Sequence, residues 1–149
     1  MVKIGTIQGV IMTPLKIINM PDGNILHSIK KDDHGFLGFG ECYFSYVNYE
    51  AIKGWKRHKK MTLNLTVPFG EIKFVIYDDR KESISNGLFQ EVILSPSNYH
   101  RLTIPPQCWF GFQGLNKNGN LLLNVADIVH DPKEVDRKTI NEFDFDWSK

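Results

Sequence analysis

Lys53, Lys56, Arg57, His58, Lys59 and Lys60 crowd one short segment, opened by Gly54 and Trp55. Residues two apart in an extended chain share a face, so Lys56 and His58 would present an amine and an imidazole side by side. Either group can serve as a general base. An amine loses its proton near neutral pH when burial or a neighbouring cation lowers its pKa, and this crowd of cations pushes Lys56 in that direction. An imidazole titrates in that range without help. The same cations, with Arg80 farther along, suit a second task, holding a diphosphate by charge and paired hydrogen bonds. The plain alternative is a solvated face, the usual fate of a charge run. His130 lies close to Asp127 and Asp131. Such a trio either lines a pocket mouth or caps a turn.

Other chemistries lack their signatures. A metal site needs clustered histidines with a carboxylate, and no such cluster can be read here, so no metal is expected. Glycine-rich phosphate loops and dinucleotide fingerprints are missing, which argues against nicotinamide or ATP chemistry, and no cofactor is expected. Spacing reveals no Ser-His-Asp or Cys-His arrangement. Cys42 and Cys108 are far apart and read as two buried free thiols of a reducing cytoplasm. The 149 residues carry a formal net charge of +1, which argues against nucleic-acid binding. No apolar run is long enough to cross a bilayer, and the N-terminus lacks a signal-peptide layout.

The elements that must position these groups read as strands. Met61 to Val67 alternates strictly between apolar and polar residues, and Glu71 to Tyr77 is the strongest β-prone run. Shorter runs follow at Phe89 to Leu94, Tyr99 to Ile104, Trp109 to Leu115 and Leu121 to Ala126. Others precede them at Ile4 to Met12, Ile25 to Ile29 and Gly40 to Val47. Turn signals such as Pro21-Asp22-Gly23-Asn24 and Asn118-Gly119 separate them. Gly54-Trp55 marks a strand start ahead of the cationic run. Lys133 to Lys138 reads as a short helical turn. Many short strands and no linker predict an all-β sandwich or barrel in one domain spanning residues 1–149.

From about Gly40 onward the chain resembles the dTDP-4-dehydrorhamnose 3,5-epimerases. The resemblance runs through Lys53-Gly54-Trp55-Lys56, then Gly70 to Arg80 with its Asp-x-Arg ending, and Leu102-Thr103-Ile104-Pro105-Pro106. It continues through Gly111-Phe112, Asp131-Pro132-Lys133-Glu134 and Phe145-Asp146-Trp147. A weaker likeness joins Lys53 to Lys59 with the sugar-nucleotide 3,4-ketoisomerases, in which His58 matches the second of two histidines. The resemblance implies a cupin-type jelly-roll barrel, a double-stranded β-helix. It also implies a dTDP-linked 4-keto sugar as ligand, a role in deoxysugar or surface-polysaccharide synthesis in the cytoplasm, and a homodimer with exchanged N-terminal strands.

Family members remove a proton beside the ketone with a His and return one from the opposite face with a Tyr. In this chain the base position falls on Lys56, the Tyr position on Leu123, the family's Arg on Lys53 and a later His on Phe110. A carboxylate to steady the base falls near Glu142. Besides a purely structural or unrelated role, two readings of the site follow. In one, the site is rebuilt, with Lys56 or His58 as base and Tyr43 or Tyr46 as the opposing acid. Lys53, Arg57, Arg80, Asp127, His130 and Glu142 then bind substrate. In the other, the barrel binds a sugar nucleotide without the epimerase reaction.

Overall fold

The structure is a computed structural model that describes residues 2–149. Thirteen strands follow in chain order: β1 Lys3–Ile4, β2 Ile11–Pro14, β3 Ile17–Ile18, β4 Ile25–Leu26, β5 Glu41–Tyr46, β6 Ile52–His58, β7 Leu63–Phe69, β8 Ile72–Tyr77, β9 Leu88–Leu94, β10 His100–Ile104, β11 Trp109–Gly114, β12 Leu121–Ala126 and β13 Val135–Arg137. One sheet has the order β1-β9-β8-β11-β6-β13 and the other β2-β10-β7-β12-β5, with β3 and β4 forming a small hairpin. Apart from the parallel contact of β1 with β9, the pairings are antiparallel. This is the expected all-β jelly roll.

Alternation along the strands makes the core. Leu63, Leu65 and Val67 of β7, Ile72, Phe74 and Ile76 of β8, and Leu102 and Ile104 of β10 point between the sheets and are buried. Each such side chain contributes roughly 1.5–3 kcal/mol on leaving water. The intervening residues point outward, yet many are buried as well. Asn64 and Thr66 lie beneath the segment 27–36, where Ser28 Oγ meets Thr66 Oγ1 at 2.8 Å and Asn64 Nδ2 donates to Gly35 O at 3.0 Å. Arg101, on the same outer face, is fully buried and donates to Ser28 O at 2.7 Å.

The outer face of the first sheet is covered by the C-terminal segment. Trp55, Val75, Phe89, Trp109 and Trp147 form a second apolar cluster there, with Ile140, Phe143 and Phe145 packed against it. Trp55 Nε1 donates to Ile140 O at 3.2 Å, so the indole is buried without leaving its N–H unpaired.

Three local expectations are corrected. The run Ile4 to Met12 is no single strand, because Gly9 takes a left-handed φ of 91° and turns the chain between β1 and β2. The helical turn is confined to a 3₁₀ turn, Pro132–Glu134; Val135–Arg137 then extends and pairs with β6. Cys108 is buried but Cys42 is exposed, since it faces outward on β5, at the edge of its sheet. No helix among the described residues is long and apolar enough to cross a membrane.

Candidate active site

Strand β6 carries the chemistry, and a β-bulge decides which of its residues face inward. Phe110 of β11 pairs with Lys56 and Phe112 with Lys53, so Gly54 and Trp55 together oppose Gly111. The extra residue puts Lys53 on the same face as Lys56 and His58. Glycine is required at the crossing. A Cβ on Gly54 would stand 2.9 Å from Gly111 Cα, and one on Gly111 would meet Lys53 O and the Trp147 ring at 3.1 and 3.2 Å.

Inward of the bulge lies a cavity of about 430 Å³ between the two sheets. Its first wall carries Lys53, Lys56 and His58 of β6, Phe110 and Phe112 of β11, Arg137 of β13 and Lys138. The second wall carries Tyr43 and Ser45 of β5, Leu65 of β7, and Leu122 and Asn124 of β12. No carboxylate lines the space, so its charge is cationic.

His58 is held from behind. Its Nδ1 stands 2.7 Å from Glu134 Oε1, and both side chains are largely buried. Glu134 Oε2 accepts from Lys60 N and Met61 N, each at 2.9 Å. Burial raises the Glu134 carboxyl, but these bonds and the one to His58 outweigh it and hold the group below its ordinary value. The residue is aimed by its own short turn. Asp131 caps the turn by accepting from Lys133 N at 3.0 Å, Pro132 follows, and Lys59 N bonds back to Glu134 O at 2.8 Å. With Nδ1 engaged, the ring has its Nε2 left for the cavity. The ring also stacks on Phe110, with centroids 6.1 Å apart.

Lys56 sits beside this pair. Burial, then the charges of Arg137 and Lys53, lower its amine from the usual lysine range. Across the cavity, burial and the nearby Glu41 raise the Tyr43 phenol, against a lowering bond from Asn124. Lys53 Nζ donates to Tyr46 O at 3.2 Å and so bridges the two sheets at the cavity edge.

Of the residues singled out from the sequence, Lys53, Lys56, His58 and Tyr43 converge on the cavity and the others do not. Arg57 faces outward, because it alternates with its neighbours along β6. Its guanidinium lies 3.0 Å from Asp136 and 3.4 Å from Asp79 and packs over the Trp109 ring. Arg80 is engaged by Asp78 at 2.8 Å and by Gln8 O at 2.6 Å, away from the cavity. Asp127 accepts from Thr62 N at 2.8 Å, and the backbone N–H of exposed His130 donates to Glu41 Oε1. Glu142 does not steady the histidine; it pairs with Lys138 at 3.5 Å in the C-terminal segment. Leu123, at the counted Tyr position, lies on the outer face, between Leu122 and Asn124, which both line the cavity.

Sequence reasoning missed Glu134, Arg137, Lys138 and Asn124. The Asp131-Pro132 pair signals a turn start, with Glu134 as an acid in its first turn. No local pattern says that this acid meets a histidine 76 residues earlier.

No family model matches the sequence. A crystal structure of a dTDP sugar isomerase from Desulfovibrio desulfuricans G20 superimposes with a TM-score of 0.92 at 37% identity, covering 95% of this chain and 92% of that one. The dTDP-6-deoxy-D-glucose-3,5-epimerase of Legionella pneumophila, in complex with dTDP-4-keto-L-rhamnose, matches over 93% of this chain and 77% of that one. Its TM-score is 0.80 and its identity 20%, a likeness of fold. The probable low-salt glycan biosynthesis epimerase Agl13 of Haloferax volcanii is 29% identical over 99 residues, 66% of this chain. The aligned stretch spans 64% of that relative's length. With more than a third of its residues shared along nearly the whole of a solved structure, the chain belongs to the dTDP-sugar isomerase family, built on the fold of the 3,5-epimerases.

Proposed function

We propose that the protein is a dTDP-sugar epimerase or isomerase that moves a proton on the carbon beside the ketone of a 4-keto-6-deoxy sugar, in deoxysugar or surface-glycan synthesis. The observation that carries this reading is the His58–Glu134 pair, 2.7 Å apart, on the wall of a cationic cavity. Glu134 holds Nδ1 and favours the imidazolium that forms when Nε2 takes the proton from carbon. The electron pair of that C–H bond becomes the enolate double bond, and the carbonyl oxygen takes the negative charge. Lys56, as ammonium, stabilises that charge. Tyr43, on the opposite sheet, gives its hydroxyl proton to the other face of the carbon and inverts it. If the hydroxyl on the deprotonated carbon instead passes its proton to the enolate oxygen, and the returned proton goes to the former carbonyl carbon, that hydroxyl becomes the new carbonyl and the ketone moves along the ring. Lys53 and Arg137 are the cations for the diphosphate, since the Lys138 ammonium is turned to Glu142 and the Trp109 and Phe143 rings.

The reading includes one cupin domain, a cytoplasmic setting and a homodimer. Phe44, Tyr46 and Phe69 support the dimer, since they leave an apolar strip on the outer face of the second sheet, 65%, 78% and 53% exposed.

The test is incubation with dTDP-4-keto-6-deoxyglucose in heavy water, followed by NMR. Deuterium at the carbon beside the ketone is expected, and the product distinguishes inversion from ketone migration. His58→Ala abolishes exchange while dTDP still binds. Tight binding of dTDP without exchange on any of several 4-keto sugar nucleotides assigns the barrel to binding alone.

A further inference from the structure

Asn124 joins the two halves of the second wall. It lies in register with Tyr43 on one side and Leu65 on the other, and all three line the cavity. Its Nδ2 donates to the Tyr43 phenol oxygen at 3.1 Å. An amide nitrogen can only donate, so the phenol oxygen is the acceptor and its own hydrogen remains free to point elsewhere. No protein acceptor for that hydrogen is present among the described residues.

The other end of the amide is unusual. Asn124 Oδ1 is buried without any partner, in a residue only 6% exposed. Buried polar atoms are nearly always hydrogen-bonded, so an orphan acceptor in a cavity wall marks the place of a donor from outside the chain. Leu65 and Leu122, which flank it, have no donor to offer. A sugar ring hydroxyl is a donor of the right size, and this position lies one amide's width from the Tyr43 hydroxyl.

We infer that Asn124 both positions the acid and selects the sugar: Nδ2 fixes the Tyr43 phenol with its hydrogen directed to the substrate, and Oδ1 accepts from a ring hydroxyl near the protonated atom. The inference rests on the sugar-nucleotide reading of the same cavity. A site that would leave a buried acceptor unpaired rejects an analogue lacking the hydroxyl by as much as ~10⁴-fold.

The experiment compares Asn124→Leu and Asn124→Asp with the unaltered protein, using dTDP and dTDP-glucose as calorimetric probes and the isotope exchange above as the rate. The reported quantity is the ratio of dTDP-glucose to dTDP affinity, which cancels any effect on the nucleotide end. Asn124→Leu reduces this ratio by about 10-fold or more, the size of one lost hydrogen bond in a closed site. Asn124→Asp keeps an acceptor and so keeps the ratio. Its carboxylate draws the Tyr43 hydrogen away from the substrate, and kcat falls by about 10²-fold with KM little changed. Tyr43 is also titrated by ultraviolet absorbance in the free protein, as the difference from Tyr43→Phe. Losing the Asn124 donor moves this titration upward.

Unchanged ratio and unchanged titration in Asn124→Leu overturn the inference. If the unaltered protein binds neither probe, the nucleotide-sugar reading fails and the hydroxyl contact with it. The Tyr43 titration then still decides whether Asn124 holds the phenol.

Discussion

Lys53 and Lys56 face the same cavity although an odd number of positions separates them along one strand. The bulge opposite Gly111 makes this possible, and it gathers cations on one face that strict alternation would have split between the barrel interior and its surface. The close approach of Gly54 to Gly111 is therefore part of the site.

Gly54→Ala tests that approach. The added methyl meets Gly111 Cα at 2.9 Å, backbone that cannot step aside as a side-chain tip would. A loss of about 1–3 kcal/mol in urea unfolding is expected, with weaker dTDP binding as Lys53 turns from the cavity.

Glu134→Gln tests the positioning of the histidine. The conservative variant preserves shape but not charge, and exchange slows by about 10²-fold while dTDP affinity holds. Stability follows the sign of the carboxyl shift. Folding lowers this group from its ordinary 4.5, so the folded state binds the proton less well than the unfolded chain. The stabilisation is complete above pH 4.5 and is lost as pH falls through the folded value. Melting curves between pH 6 and pH 3 lose part of their acid sensitivity in the variant.

Lys56→Met separates function from stability. The folded state lowers this amine from its ordinary 10.5, so the unfolded chain holds the proton more tightly and stability rises with pH through that window. At neutral pH the buried ammonium costs stability. The variant is expected to melt about 1–3 °C higher and to exchange more slowly. A melting point that falls would show that the amine is stabilised where it lies.

Arg57→Ala and Arg137→Ala form a contrasting pair. Arg57 pairs with Asp79 and Asp136 and covers Trp109 on the outer face, so its loss lowers stability by about 1 kcal/mol without touching dTDP affinity. Arg137 lines the cavity, and its loss weakens dTDP binding about 10-fold and flattens the dependence on salt. Calorimetry at two ionic strengths checks both.

The sequence by itself determined the kind of protein. Alternation at Met61 to Val67 and Glu71 to Tyr77 is a property of residues two apart, and burial of one face follows from it wherever the strand lies. The same local rule put Lys56 and His58 on one face, and the ordered motifs from Gly40 to Trp147 pointed to a jelly roll of the sugar-nucleotide enzymes. Only the tertiary structure decided which charges the site keeps. Arg57 was lost to the outer face by alternation, and Arg80 by its bond to Asp78. Lys53, expected at the site from the resemblance, was kept there by a bulge that exists only when β6 meets β11. Glu134 reaches His58, and Asn124 reaches Tyr43, across 76 and 81 positions. Contacts at such range leave no periodic trace in the chain. They are set by how two sheets close on a shared core, which depends on every strand at once.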